Sequence, residues 1–237
     1  MIEASIIIPA LNEEEYIVKT LESARRQKAS FDYEIIVADN GSQDRTMELS
    51  EKYADKVVTV KRKGIWIGRN TGAEKSRGRV LVFVDADTVI PPNYLEVARA
   101  VLEDDEISGL SCSFTFDKHS KLLDTVEELS NSYLVFRGML GKGEILGFNN
   151  AVRRDTFFKA GGFPNQPMED GAFARRLWKK GRVVYLPNPR VVTSARRILK
   201  SGPVHSAVYY ANLMLITDFP KNPIEKITIF KKYLPVR

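Results

Sequence analysis

The sequence predicts an α/β domain with a mostly parallel central sheet that is flanked by helices. Early in the chain, four short runs rich in Ile and Val alternate with stretches that carry apolar residues at helical spacing. Continuous apolar runs are typical of parallel strands that are buried on both faces. No Gly/Ser/Pro-rich linker divides the 237 residues, so we interpret residues 1–195 as one domain.

The elements of the first half, residues 1–92, follow the order expected for βαβ units. Four strands share their Ile and Val content, at residues 5–9, 33–38, 56–60 and 80–84. Three helices connect them, at residues 13–27, 44–53 and 69–76. In open parallel sheets ligands bind at the carboxyl ends of the strands. The first half is therefore predicted to be the nucleotide-binding half.

The second half, residues 93–195, has a looser pattern and is predicted to complete the acceptor side. Helices are predicted at residues 94–102, 119–140 and 169–180. The middle one has apolar residues at helical spacing, namely Leu122, Val126, Leu129 and Tyr133. Strands are predicted at residues 107–116, 144–152, 183–186 and 190–193.

Residues 196–237 are predicted to form a basic C-terminal extension with amphipathic helices. The stretch 204–219 places Val204, Val208, Ala211 and Leu215 on one stripe, and lysines flank it at 200 and 221. Such a segment can lie in a membrane interface, pack against a partner chain or be a buried core helix. The pattern alone leaves these three readings open.

Composition limits the class of protein. With 43% hydrophobic and 28% charged residues, the chain is typical of a folded, water-soluble protein. Its single cysteine, Cys112, favours a reducing cytoplasmic location. No signal peptide or membrane span is visible. The net charge of +6 fits a phosphorylated ligand or an acidic lipid surface, whereas the absence of a recognised module and of an aromatic platform argues against nucleic-acid binding.

The strongest chemical signal is the stretch VLVFVDADTVIPP, in which Asp85 and Asp87 follow the most apolar strand. Residues i and i+2 of a strand point the same way, so the two carboxylates can converge on one ligand. A hard divalent cation would remove their repulsion, and Mg²⁺ or Mn²⁺ commonly takes one or two carboxylates together with substrate phosphates. We therefore predict a cation site at Asp85 and Asp87.

Further polar residues follow the other strands. Asp39 ends the second strand and could accept a hydrogen bond from a nucleobase or a ribose hydroxyl, while Asp44 is interpreted as a helix cap. Asp170 stands at the start of a helix, where it could act as a general base. Arg196 and Arg197 offer a fork of donors for a diphosphate.

The ordered motifs PALNEEE, VADNGSQDRT, GRNTGAEKSRG, VFVDADT, FNNAVRRDTFFKAGGF and MEDGAFARRLWKKG resemble those of the inverting family 2 glycosyltransferases, which have a GT-A fold. The resemblance covers about residues 4–195 and extends to polyprenyl-phosphate and lipid-linked sugar mannosyl- and glucosyltransferases. It implies transfer of one sugar from a nucleotide diphosphate sugar, with GDP-mannose slightly favoured over UDP-sugars, to a hydroxyl acceptor such as a lipid-linked glycan or a glycolipid. It also implies Mn²⁺ or Mg²⁺ as the cofactor.

The resemblance also assigns roles to residues. Asp170 matches the catalytic base, and Asp87, together with Asp85, matches the metal ligands. On the acceptor side it implies Asn149, Asn150 and Glu169. The donor-binding set that it implies is Pro9, Ala10, Leu11, Glu13, Asp39, Asn70, Asp85, Ala86, Asp87, Arg196 and Arg197.

The sequence departs from the family pattern at three positions. Leu11 stands where many members have Tyr, Asn40 where they have a second acid, and Val89 where polyprenyl-phosphate mannosyltransferases have a further polar ligand. The Q-x-x-R-W motif of processive synthases is absent from the sequence. This absence favours the addition of a single sugar.

Three alternatives are weighed against this reading. The basic tail and the 204–219 stretch also fit a transferase that uses polyprenyl phosphate as its acceptor. A sugar-nucleotide binding protein without catalysis is the alternative from another class. A sugar-1-phosphate nucleotidyltransferase would need a glycine-rich loop after the first strand, and PALNEEE is not such a loop. The predicted location is the cytoplasm, at the inner face of the membrane if the extension contacts lipid.

Overall fold

The computed structural model describes residues 1–62, 64–166 and 168–202. In the first half, strands and helices alternate as predicted, in the order β1 (Ala4–Ala10), α1 (Ile17–Arg25), β2 (Tyr33–Asp39), α2 (Thr46–Glu51), β3 (Lys56–Thr59), α3 (Ile65–Lys75) and β4 (Val80–Val84). Helix α3 starts earlier than predicted. Its glycines allow it to lie close against β1, since a Cβ at Gly72 would clash with Ile7.

The second half continues as β5 (Thr88–Val89), α4 (Tyr94–Val101), β6 (Ile107–Phe116), α5 (Lys121–Met139), β7 (Asn149–Arg153), α6 (Arg154–Lys159), α7 (Glu169–Leu177), β8 (Arg182–Thr193) and α8 (Arg196–Ser201). The predicted strand at 144–152 is wrong in its first part, because residues 144–148 line a cavity instead. The two strands predicted at 183–186 and 190–193 are one strand, β8, in which the Asn188–Pro189 peptide bond is cis.

The eight described strands form one sheet in the order β3-β2-β1-β4-β7-β6-β8-β5. Strands β1 to β4 are mutually parallel, whereas β7 runs antiparallel to both β4 and β6. The α/β class is thus confirmed, with a sheet that is parallel in its first half and mixed in its second. This topology brings the carboxyl ends of β1, β4 and β6 to the same edge of the sheet.

The apolar core lies on both faces of the sheet. One cluster joins the inner strands to α1, α4, α5 and α8, and the other packs α3, α6 and α7 against the opposite face. The second cluster is rich in aromatic rings, among which Phe163 and Phe173 have centroids 4.6 Å apart. These rings support the start of α7 and so fix its position at the edge of the sheet.

Helix α5 is confirmed, but it does not bury the residues that predict it. Leu122 and Leu129 are 50% and 67% exposed. The buried face instead carries Glu127 and Asn131, which hydrogen-bond to the backbone of β6 at Phe116 and Phe114. Because β7 pairs with β6 only at Leu110, these side chains satisfy backbone groups that no strand reaches.

Among the described residues, no helix combines the length and the hydropathy needed to cross a bilayer. The stretch 204–219, for which three readings were open, lies outside the described residues.

Candidate active site

A cavity of about 700 Å³ opens at the carboxyl ends of β1, β4 and β6. Its walls come from these strand ends, from α3, α5 and α8, and from the start of α7. Eleven predicted site residues line it, namely Pro9, Ala10, Leu11, Glu13, Asp85, Ala86, Asp87, Glu169, Asp170, Arg196 and Arg197. Residues that are far apart in the sequence therefore share one site.

Asp85 and Asp87 follow β4 and have different cationic partners. Asp85 Oδ1 accepts a hydrogen bond from Arg69 Nη2 at 2.8 Å, and Asp87 Oδ2 lies 3.0 Å from Arg196 Nη2. Burial raises the pKa of Asp87 to about 7, and the nearby Asp85 carboxylate adds to the rise while Arg196 opposes it. The two carboxylates therefore repel each other, as the sequence predicts.

Arg69, on α3, was not singled out from the sequence and is the most informative residue of the site. Its side chain is 1% exposed, and its guanidinium also donates to Glu169 Oε1 at 2.5 Å and stacks on the Phe163 ring. Burial lowers the pKa of Arg69, but Asp85 and Glu169 raise it by more, so the group stays charged. Arg69 therefore ties the carboxylate after β4 to the start of α7.

Asp170 lies in the first turn of α7, where the helix dipole favours a carboxylate. Met168, just before the helix, adopts a left-handed conformation with φ of 57°, which turns the chain sharply into α7. Asp170 Oδ2 accepts from the Gly147 backbone N–H at 3.2 Å. Gly147 packs against the Arg69 guanidinium so closely that a Cβ would clash with it.

Arg196, at the start of α8, closes the other side of the cavity. Its Nη2 lies 2.6 Å from Glu13 Oε1, and its guanidinium lies over the Tyr16 ring with Cζ 4.7 Å from the centroid. Arg196 is about a third exposed and so can exchange its carboxylate partners for an anionic ligand. Both arginines predicted for the diphosphate, Arg196 and Arg197, line the cavity.

The donor set fits a hard divalent cation that is shared with a ligand. In the described part of the chain, no group of three or more His, Cys, Asp or Glu side chains is arranged to hold a metal by itself. Asp85 and Asp87 offer carboxylate oxygens to one cavity, and the buried Glu13 Oε2 beside them has no hydrogen-bond partner. Two carboxylates completed by phosphate oxygens match the usual Mg²⁺ or Mn²⁺ pattern.

Asp39 is not among the residues that line the cavity, and its donor-binding role stays a prediction. It is 1% exposed, and its Oδ2 accepts from the backbone N–H groups of Gly41 and Ser42, each at 3.0 Å. The carboxylate thus holds the turn after β2, and the neighbouring Asn40 lines the cavity in its place. Asp44 Oδ1 accepts from the N–H of Thr46, the first residue of α2, but Arg45 occupies the N-cap position, so Asp44 lies one residue before the predicted cap.

Asn70, Asn149 and Asn150 also lie away from the cavity and act on the backbone. Asn70 exchanges two hydrogen bonds with the backbone of Phe163. Asn149 does the same with Cys112 of β6, and Asn150 Nδ2 donates to the Leu146 carbonyl. Asn149 and Asn150 are both fully buried and are not among the residues that line the cavity, so their acceptor role stays a prediction. The Asn149 amide thus pairs with the β6 backbone where β7 does not, whereas the amides of Asn70 and Asn150 bind loop backbone groups.

Glu144 is a further carboxylate in the cavity that the sequence analysis missed. It lies 3.0 Å from Arg137 Nη2. Burial raises the pKa of Glu144 to about 7, and the negative charge of Asp170 adds to the rise. The positive charges of Arg137 and Arg175 lower this pKa, but by less. No motif marks this position, because its burial depends on the way in which α5 and β8 meet around it.

Glu144 predicts a pH-dependent stability. A carboxyl group whose pKa is higher in the folded than in the unfolded state stabilises the fold most when protonated, and this contribution disappears as the pH rises through about 7. We expect the wild type to lose up to about 1.4 kcal/mol per pH unit relative to Glu144→Gln between about pH 5 and pH 7. Denaturant unfolding of both proteins measures this difference, and a pH-independent difference would contradict the raised pKa.

The fold and the site together define the class of protein. A sheet whose fourth strand ends in Asp-x-Asp, with a carboxylate at a helix start facing it across one cavity, is typical of GT-A glycosyltransferases. The family model described as "Glycosyl transferase family 2" matches residues 5–159. The chain belongs to glycosyl transferase family 2.

Curated relatives support this assignment. The chain is 28% identical over 177 residues to glycosyltransferase AglE of Haloferax volcanii, which covers 70% of this chain and 58% of the relative. It is 31% identical over 168 residues to the putative glycosyltransferase EpsH of Bacillus subtilis, and the match covers 66% of this chain and 48% of the relative. The matched region thus spans about half the length of these relatives.

Solved structures share the fold. TarS of S. aureus, residues 1–349, superposes with a TM-score of 0.69 and 18% identity, covering 98% of this chain and 76% of that one. The mannosyltransferase PcManGT of Pyrobaculum calidifontis, in complex with GDP-Man and Mn²⁺, has a TM-score of 0.67 and 20% identity over 90% of this chain and 64% of that one. At these identities the similarity shows the GT-A fold.

Proposed function

We propose that this chain transfers one sugar from a nucleoside diphosphate sugar to a hydroxyl acceptor, with inversion at the anomeric carbon. The observation that carries the proposal is the Arg69 bridge, which joins Asp85 to Glu169. Asp85 and Glu169 line one cavity together with Asp87 and Asp170. A donor held by Asp85 and Asp87 and an acceptor activated by Asp170 would therefore lie next to each other in this cavity.

The donor half of the site is the polar part of the cavity. Pro9, Ala10 and Leu11 would line the nucleoside, and Asp85 and Asp87 would hold Mn²⁺ or Mg²⁺. When bound, the cation neutralises the negative charge that develops on the departing diphosphate. Arg196 would leave Asp87 for the diphosphate and stabilise the same charge, with Arg197 beside it.

The acceptor half centres on Asp170. Its carboxylate would remove the proton of the acceptor hydroxyl as the oxygen attacks the anomeric carbon on the face opposite the diphosphate. The Gly147 N–H holds the carboxylate in place, and Glu169, bound to Arg69, fixes the helix start. We propose Glu169 as a positioning residue on the acceptor side.

For the donor, GDP-mannose is the first candidate and a UDP-sugar the second. PcManGT, with the same fold, was crystallised with GDP-Man, whereas TarS was crystallised with UDP-GlcNAc. For the acceptor we propose a glycan or glycolipid hydroxyl, since a lipid phosphate is already ionised and needs no base. Peripheral membrane contact through residues 196–237, at the inner face of the cell membrane, stays a prediction.

A transfer assay tests the proposal. The full chain with Mn²⁺ is given GDP-mannose, UDP-glucose or UDP-GlcNAc, together with a polyprenyl-diphosphate-linked sugar or polyprenyl phosphate, and products are identified by mass spectrometry and by the NMR coupling of the anomeric proton. We expect a single added sugar of inverted configuration on the glycan acceptor. Transfer to polyprenyl phosphate alone would assign the alternative acceptor. Donor binding without transfer or hydrolysis would indicate a binding protein.

A further inference from the structure

Besides its charged groups, which include Glu144, the cavity has an apolar part of its wall. Beyond Asp170 its wall is formed by Phe114, Phe116, Leu134, Phe148 and Ile198, from β6, α5, the loop before β7 and α8. Ligand sites are commonly lined by apolar side chains with a few polar groups at fixed positions. Burial of apolar surface on binding stabilises the complex. The donor contacts proposed above do not include these five residues, so we assign this wall to the acceptor.

The apolar wall continues onto the surface of α5. Val126 and Tyr133 line the cavity, and positions 122, 129, 136 and 140 extend the same face at spacings of three and four residues. Leu129, Phe136 and Leu140 are each more than half exposed. We call this face, residues 122, 126, 129, 133, 136 and 140, the α5 stripe.

The exposure is concentrated rather than scattered. Among the described residues, eight large apolar side chains are strongly exposed, and five of them belong to α5 or to Leu140 directly after it. Single exposed apolar residues are ordinary, but a contiguous patch marks a binding surface. A patch that is continuous with a catalytic cavity points to a ligand that occupies both.

The occupant must be polar at one end and apolar over a long distance. Asp170, the proposed base, lines the same cavity as this apolar wall, so a polar reacting group and an apolar surface share one site. A lipid-linked sugar has this order of groups, namely a sugar hydroxyl, a phosphate and an apolar chain. Helix α5 has 19 residues and is about 28 Å long, enough to carry many carbons of such a chain.

We propose that the apolar part of the cavity wall and the α5 stripe bind the hydrocarbon chain of a lipid-linked acceptor. The chain leaves the site between Val126 and Tyr133 and lies along Leu129 and Phe136, while the sugar hydroxyl is at Asp170. This inference rests on the proposed transfer, and it adds the part of the acceptor that the enzyme recognises.

The test compares two acceptors that differ only in chain length. Wild type and Leu129→Glu/Phe136→Glu receive the same sugar diphosphate on a long polyprenyl chain or on a chain of two isoprene units. We expect the KM for the long-chain acceptor to rise by about tenfold or more in the variant, because both side chains lose apolar contact. The KM for the short-chain acceptor and the rate of donor hydrolysis should not change.

The matched control is Phe158→Glu, which places the same charge at an exposed phenylalanine on α6, away from the cavity. A second readout is independent of activity: polyprenyl phosphate with a diazirine at its far end should label peptides from residues 121–140 of the wild type. Equal losses with both acceptors, no chain-length effect, or labelling elsewhere would overturn the inference. A dimer of wild type that the double variant dissociates would assign the stripe to a second copy instead. If neither acceptor reacts and no donor is hydrolysed, the proposed function itself fails.

Discussion

Replacing Asp170 by Asn is expected to lower the transfer rate by about 10² to 10⁴ while leaving donor affinity nearly unchanged. The amide keeps the size of the side chain and can still accept from the Gly147 N–H through its oxygen. It cannot accept a proton from the acceptor hydroxyl. Steady-state kinetics for transfer, together with calorimetric titration of the nucleotide sugar in the presence of Mn²⁺, separates the two effects.

The matched control for this variant is Asp155→Asn. Asp155 also lies in the first turn of a helix, α6, but pairs with Lys159 and does not line the cavity. Its activity should equal that of the wild type. Wild-type turnover in Asp170→Asn would refute the assignment of the base, and a parallel loss of donor binding would show that Asp170 acts on the donor instead.

Replacing Arg69 by Met is expected to lower both stability and activity more than any other single change in the site. Removal of one partner from a buried ion pair typically costs about 3 to 5 kcal/mol. Here it leaves Asp85 and Glu169 without their shared cation. Chemical unfolding should show this loss, and transfer should fall sharply because the two halves of the site lose their common anchor.

A double-mutant cycle distinguishes the bridge from simple packing. Arg69→Met/Glu169→Gln removes one of the two stranded carboxylates, so the double variant should be more stable than Arg69→Met alone. Arg69→Lys keeps the charge but cannot reach both partners with a planar fork, and it should have intermediate stability with low activity. Additive losses in the cycle would mean that Arg69 and Glu169 do not act together.

The first half of the fold and most of the donor site follow from the sequence for a clear physical reason. In βαβ units the end of each strand can be located from the apolar run that precedes it in the sequence. Asp85, Asp87 and Glu13 can therefore be placed at strand ends without knowledge of distant contacts. Asp170 could be placed because its motif resembles that of the family. Each of these four residues lines the cavity.

The remaining features depend on contacts between distant segments. The sequence predicts a strand over Asn149 and Asn150, but it does not predict their complete burial, which arises because β7 runs antiparallel and leaves β6 partly unpaired. Helix α5 buries Glu127 and Asn131 for the same reason. In the sequence Arg69 is marked only by the glycines near it, Gly68 and Gly72. These glycines let α3 pack tightly on the sheet, but they do not indicate which carboxylates the arginine contacts.

Asp85 and Asp87 are proposed to form a cation site that a nucleoside diphosphate completes. Calorimetric titration of Mn²⁺ into the full chain, with and without GDP or UDP, measures this directly, with Asp87→Asn as the variant and the exposed Asp105→Asn as its control. We predict weak Mn²⁺ binding to the protein alone and markedly tighter binding with one of the nucleotides. Asp87→Asn should lose the tight binding, and Asp105→Asn should keep it. Mn²⁺ affinity that neither nucleotide changes, or that is the same in Asp87→Asn as in the wild type, would show that Asp87 and a nucleotide do not form this cation site.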